Sequence, residues 1–191
     1  NRLLTMDLHA GQIQGFFNIP VDELTALYLL SRYFTEKKIS NLVVVATDVG
    51  DAKRARNFAT RLNTPIAIIE KRRLGNNEQP EALNVIGDVK GMNALLVDDE
   101  IDTAGTMIGS VEILQRHGVK KIYACCTHPV LSGPAVERLT SSPIKEVVVT
   151  DTIPVPEWKR NNLIEVITVA PLFGEAIRRI HEGESVGAMF E

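Results

Sequence analysis

Cysteine is scarce in this chain: two in 191 residues, side by side at Cys125-Cys126. That excludes a disulfide scaffold, and neighbours on a strand face opposite sides, so the two are poor partners for each other. A reduced, cytoplasmic setting is the expectation. Aromatic residues make up only 5%, and no apolar run approaches the length of a membrane span, so no membrane partner is expected. An excess of one charge is also lacking. Twenty-one Lys and Arg stand against 24 Asp and Glu, a net charge of −3, which implies no general attraction to nucleic acid. No secretory signal, internal repeat, low-complexity tract or Pro/Ser-rich linker divides the chain. It opens on Asn1 rather than Met, and its first residues already read as strand, which suggests a piece of a longer protein.

What is present is enough apolar content, 45%, to build one ordinary domain over residues 1–191. Strand-like segments recur at Leu3–Leu8, Leu42–Ala46, Ile66–Glu70, Ala94–Val97, Lys121–Thr127, Val147–Thr150 and Leu163–Val169. Helical spacing fills most of the gaps, over Val21–Lys37, Asp51–Leu62, Thr106–His117 and Ala170–His181. This alternation predicts an α/β fold, a mostly parallel twisted sheet with helices on both faces. Ligands in such sheets sit beyond the carboxyl ends of the strands.

The most informative stretch is Leu95-Leu96-Val97-Asp98-Asp99-Glu100-Ile101-Asp102-Thr103-Ala104-Gly105-Thr106. An apolar strand ends in paired carboxylates, passes through small hydroxyl-bearing residues and enters a helix. The unpaired N–H groups of a helix start, together with the helix dipole, favour an anion there. Thr103 and Thr106 add hydroxyl donors, and Gly105 permits close approach of a phosphate. No Lys follows that glycine, so this is not the loop that grips a nucleotide triphosphate. The acids upstream suit ribose hydroxyls or a metal ion.

Other strand ends fall on the same face. Asp7-Leu8-His9-Ala10-Gly11-Gln12 puts an imidazole just after the first strand, and Asp48 ends another. A His–Asp pair holding a hydrated divalent ion is one reading of His9 and Asp48; a surface histidine is the other. Lys71-Arg72-Arg73-Leu74-Gly75-Asn76-Asn77 reads as a basic loop able to close over a transferring phosphoryl group, or as a solvated turn. Lys53, Arg54 and Arg56 touch phosphate or form a solvated face; the residue pattern leaves both open. His117, His128 and His181 have no partner that the sequence names.

The Asp98–Thr106 segment is similar to the phosphoribosyl-pyrophosphate signature of the phosphoribosyltransferase-type fold. With Asp7–Phe17, Lys71-Arg72-Arg73 and the ending Ala170–Val186, the chain resembles the ribose-phosphate pyrophosphokinases over nearly its whole length. The resemblance implies the C-terminal catalytic half of such an enzyme, with residues 1–20 joining it to an N-terminal domain. It implies Mg2+-dependent transfer of the β,γ-diphosphoryl group of ATP to the 1-hydroxyl of ribose 5-phosphate. By that likeness His9 and Asp48 hold Mg2+, and Asp98 and Asp99 bind the ribose hydroxyls. Asp102, Thr103, Ala104, Gly105 and Thr106 cradle the 5-phosphate, and Lys71 and Arg73 stabilise the transition state. It also implies a homo-oligomer, dimers assembling to a hexamer. Where the family reads Ser-Pro-Asp-x-Gly-Gly, this chain has Ala46-Thr47-Asp48-Val49-Gly50-Asp51, so Asp51 replaces a glycine. Two other readings stay open: a non-catalytic relative or fragment that binds ribose 5-phosphate or its pyrophosphate, and a phosphoribosyltransferase.

Overall fold

A computed structural model describes residues 2–72 and 82–190. Its main sheet has seven strands: β3 (Leu42–Ala46), β4 (Ile66–Arg72), β5 (Ala82–Ile86), β6 (Asn93–Glu100), β7 (Lys121–His128), β8 (Ile144–Thr150) and β9 (Ile164–Ile167). They lie in the order β5-β4-β3-β6-β7-β8-β9, all parallel except the β4–β5 pair. A separate parallel pair, β1 (Leu3–Met6) with β2 (Val21–Leu24), opens the chain.

Among the described residues, five helices cover the sheet: α1 (Leu27–Lys37), α2 (Ala52–Leu62), α3 (Gly105–Arg116), α4 (Ala135–Thr140) and α5 (Ala170–Glu182). Alternation along each strand sorts the core into two layers. Val43, Val45 and Leu96 pack with α3 and α4, while Val44, Ala46, Leu95 and Val97 pack with α1, α2 and α5. Strands buried on both faces read as continuous apolar runs, which is why the central ones stand out in the sequence. Cys125 and Cys126 fall in opposite layers, both fully buried, and burial pushes both thiols up. No described helix is long and apolar enough to cross a membrane.

Three elements differ from the sequence reading. The predicted helix Val21–Lys37 begins only at Leu27, because Val21–Leu24 pairs with Leu3–Met6. The Leu27 N–H bonds the Thr25 hydroxyl and the Ala26 N–H bonds the Asp7 carboxylate, so the turn between strand and helix is capped by side chains. The short edge strand β5 and the six-residue α4 were not expected at all. Gly87, at φ +108°, ends β5 where a Cβ would lie 2.8 Å from the Ile66 carbonyl oxygen, so only glycine fits.

Strand order reverses between β3 and β6: the chain runs from β3 toward one edge and from β6 toward the other. A crevice opens at the carboxyl ends of strands at such a reversal. Loops β3–α2 and β6–α3 therefore face each other there.

Candidate active site

Those two loops line a cleft of about 530 Å³, bounded by His9, Asp48, Gly50, Asp51, Arg54 and residues 98–107. His9, Asp48 and the whole Asp98–Thr106 segment are thus brought together. Lys71 belongs to β4, and Arg73 lies outside the described residues.

The floor is acidic. Asp51, Asp98 and Asp99 each offer an oxygen, all within 4.8 Å of one another. Such crowding is tolerable only with partners, and the partners differ. Asp99 is 4% exposed and accepts from His9 Nδ1 at 2.8 Å, with Arg54 Nη2 3.3 Å away. Burial alone would raise its pKa. The hydrogen bond with Asp98 and the charges of Arg54 and His9 outweigh burial, and the Asp99 carboxyl is lowered. Among the described residues, no Lys, Arg or His forms an ion pair with Asp98. Burial first, then the charge of Asp51, pushes it up to about 8. The Thr47 hydroxyl lies 3.1 Å from Asp98 Oδ2 and 3.2 Å from Asp51 Oδ2 and can donate to one at a time. His9 is raised by its hydrogen bond to Asp99 and that carboxylate's charge, although its ring is mostly exposed.

The same cleft also has an anion-seeking part. Ala104 adopts φ 60°, an uncommon angle for a residue with a Cβ, and α3 starts at the next residue. Among the described residues, no partner accepts from the N–H groups of Thr103, Ala104, Gly105 or Thr106. A Cβ at Gly105 would meet Thr103 Oγ1 at 3.7 Å and Arg138 Nη1 at 3.8 Å, both ordinary contacts. The protein's own packing therefore does not demand glycine there; what glycine leaves is room in front of the helix start.

Several site residues escaped the sequence reading. The sequence leaves Arg54 between phosphate contact and solvent; in the structure it bridges Asp51 and Asp99. Its position three residues after an acid at a helix start was the available signal. His128, without a nameable partner in the sequence, lies 3.1 Å from the carbonyl oxygens of Met6 and Asp7. Asp7, at φ 41°, accepts from Thr127 Oγ1 at 2.7 Å and from the Ala26 N–H at 2.9 Å. Together they fix the bend that carries His9 into the cleft.

Residues 72–191 match the family of the phosphoribosyl synthetase-associated domain. The chain belongs to this family. Among family relatives, the ribose-phosphate pyrophosphokinase of Caldanaerobacter subterraneus subsp. tengcongensis is 59% identical over 191 residues, covering all of this chain and 60% of that protein. That of Corynebacterium ammoniagenes is 52% identical over 189 residues, covering 99% and 59%. The chain thus spans about 60% of the length of these relatives. The crystal structure of phosphoribosylpyrophosphate synthetase from Mycobacterium smegmatis superposes with a TM-score of 0.88 at 41% identity, covering 95% of this chain and 59% of that one. Orotate phosphoribosyltransferase from Aeropyrum pernix matches with a TM-score of 0.50 at 19% identity over 78% of this chain and 75% of its own, a likeness of fold alone.

Proposed function

We propose that this chain carries the ribose 5-phosphate site of a ribose-phosphate pyrophosphokinase. The reaction moves the β,γ-diphosphoryl group of ATP to the 1-hydroxyl of ribose 5-phosphate. The hydroxyl oxygen attacks the β-phosphorus and gives up its proton to solvent, the bond from that phosphorus to the α-phosphate oxygen breaks with its electron pair on that oxygen, and AMP leaves. The observation that carries the reading is one cleft lined by two kinds of group: N–H groups at the start of α3 with no acceptor among the described residues, and the carboxylates of Asp98 and Asp99 a few residues upstream. That separation of charge preference suits a sugar with phosphate at one end and hydroxyls along its ring.

In this reading the N–H groups of Thr103 to Thr106 and the two threonine hydroxyls hold the 5-phosphate. Asp98 and Asp99 accept from the ribose hydroxyls. Three carboxylate oxygens so close together fit a hard, oxygen-seeking cation, so Asp51, Asp98 and Asp99 join His9 and Asp48 as the residues that would hold Mg2+. Bound Mg2+ supplies neutralisation of the polyphosphate charge. Lys71 and Arg73 are assigned the stabilisation of charge on the transferring phosphoryl group. Residues 1–20 would lead in from a preceding domain.

The test is AMP release from ATP and Mg2+, with and without ribose 5-phosphate, alongside calorimetric binding of the sugar phosphate. Release that depends on ribose 5-phosphate, and falls at least about a hundredfold in Lys71→Ala, is the expected result. Binding without release would reduce the reading to a non-catalytic sugar-phosphate site. Neither binding nor release would overturn it.

A further inference from the structure

The cradle loop between β6 and α3 is held from behind. The Asp102 carbonyl accepts from the Ser132 N–H at 3.0 Å, and the Ser132 hydroxyl bonds the Asp102 carboxylate. The Thr103 carbonyl accepts from Arg138 Nη1 at 2.9 Å, and the Ala104 carbonyl accepts from the Ile108 N–H at 3.0 Å. In a trans peptide the C=O and the following N–H point in opposite directions. Pulling the carbonyls of residues 102, 103 and 104 outward therefore turns the N–H groups of Thr103, Ala104 and Gly105 the other way. The left-handed Ala104 is the strain that this arrangement must hold.

The clamp is itself braced. Leu131 is buried at φ 49°; its N–H bonds the Ile101 carbonyl and its own carbonyl accepts from Lys159 Nζ at 2.9 Å. Ser132 is thus fixed in place, whereas Arg138 reaches the loop from the exposed side of α4.

We propose that Arg138, with Ser132, is a positioning residue for the phosphate cradle: it orients the peptide planes of the loop without touching the ligand. The inference rests on the ribose 5-phosphate reading above and deepens it. Arg138 contributes one N–H to one carbonyl, so a lysine reaching the same oxygen supplies most of its effect.

The experiment compares wild type, Arg138→Ala, Arg138→Lys and Ser132→Ala. Calorimetry measures ribose 5-phosphate binding, steady-state assays give KM for each substrate, and Tm monitors the fold. Arg138→Ala should weaken ribose 5-phosphate by about tenfold, the scale of one lost hydrogen bond, with KM for ATP within about twofold. Arg138→Lys should recover most of that loss, and Ser132→Ala should show a smaller change of the same kind. Amide NMR signals of Thr103 and Ala104 should shift in Arg138→Ala while those of β8 stay in place. Unchanged sugar-phosphate binding in Arg138→Ala, or equal weakening of ATP, overturns the proposal while leaving the function standing. A wild type that does not bind ribose 5-phosphate overturns both.

Discussion

The β3–α2 and β6–α3 loops occupy the same place in the fold, a strand end leading into a helix on either side of the sheet reversal, yet they have opposite charge preferences. The β3–α2 loop closes on itself. Its Asp51 N–H bonds the Asp48 carboxylate, Ala52 N–H bonds the Val49 carbonyl, and Arg54 folds back onto Asp51. The helix start is thus supplied with an anion by its own sequence. The β6–α3 loop does the reverse. Its carbonyls are drawn outward by Ser132 and Arg138, and the N–H groups of Thr103 to Thr106 have no acceptor among the described residues. The dipole of a helix start favours an anion in either case; what differs is whether the chain provides it. The β3–α2 loop adds its carboxylates to those of Asp98 and Asp99, while the β6–α3 loop, just beyond those two acids, presents donors.

Asp99 ties the two loops together, so its loss should be felt on both sides. Asp99→Asn keeps the shape but leaves Arg54 and His9 facing a neutral group. Sugar-dependent AMP release should fall by about a hundredfold or more, and both Mg2+ and ribose 5-phosphate should bind more weakly in calorimetry. Gly105→Ala should affect the donor wall alone. A Cβ fits the empty protein, so Tm should hold or rise slightly, while ribose 5-phosphate weakens by roughly tenfold and Mg2+ binding is unchanged. Asp51→Asn should do the converse with the smallest effect. Mg2+ affinity should drop several-fold on loss of one carboxylate, with ribose 5-phosphate affinity within about twofold of wild type. If Gly105→Ala and Asp51→Asn instead weaken the same ligand, the division of labour between the loops is wrong.

The central strands were legible because Leu42–Ala46 and Ala94–Val97 are unbroken apolar runs, the signature of strands covered on both faces. Strand β2 was not, since its four residues merge into the helical pattern of α1 and only pairing with β1 distinguishes them. Likewise β5 is a short edge strand, and α4 has too few residues for a periodicity to register. The cradle could be read because Asp98 to Thr106 is contiguous: acids, small residues and helix start follow in a line. The contacts that shape it could not. His9 meets Asp99 across 90 residues, and Arg138 meets Thr103 across 35. Sequence spacing carries no signal for such meetings, and an arginine on a short exposed helix looks like any solvated charge.

The reversal in strand order has a consequence for how the chain acquires its site. Leu42 pairs with Asn93, so the two loops are delivered by segments about fifty residues apart that meet only when the middle of the sheet zips together. Non-local pairing of this kind forms slowly, after the loop between the segments has closed. A chain in which β3 and β6 have not yet paired therefore lacks the cluster of Asp51 with Asp98 and Asp99, and an ion or sugar phosphate that needs both loops finds nothing to hold. Such a ligand cannot hasten assembly. It acts afterwards, by lengthening the time the finished molecule spends before it next comes apart.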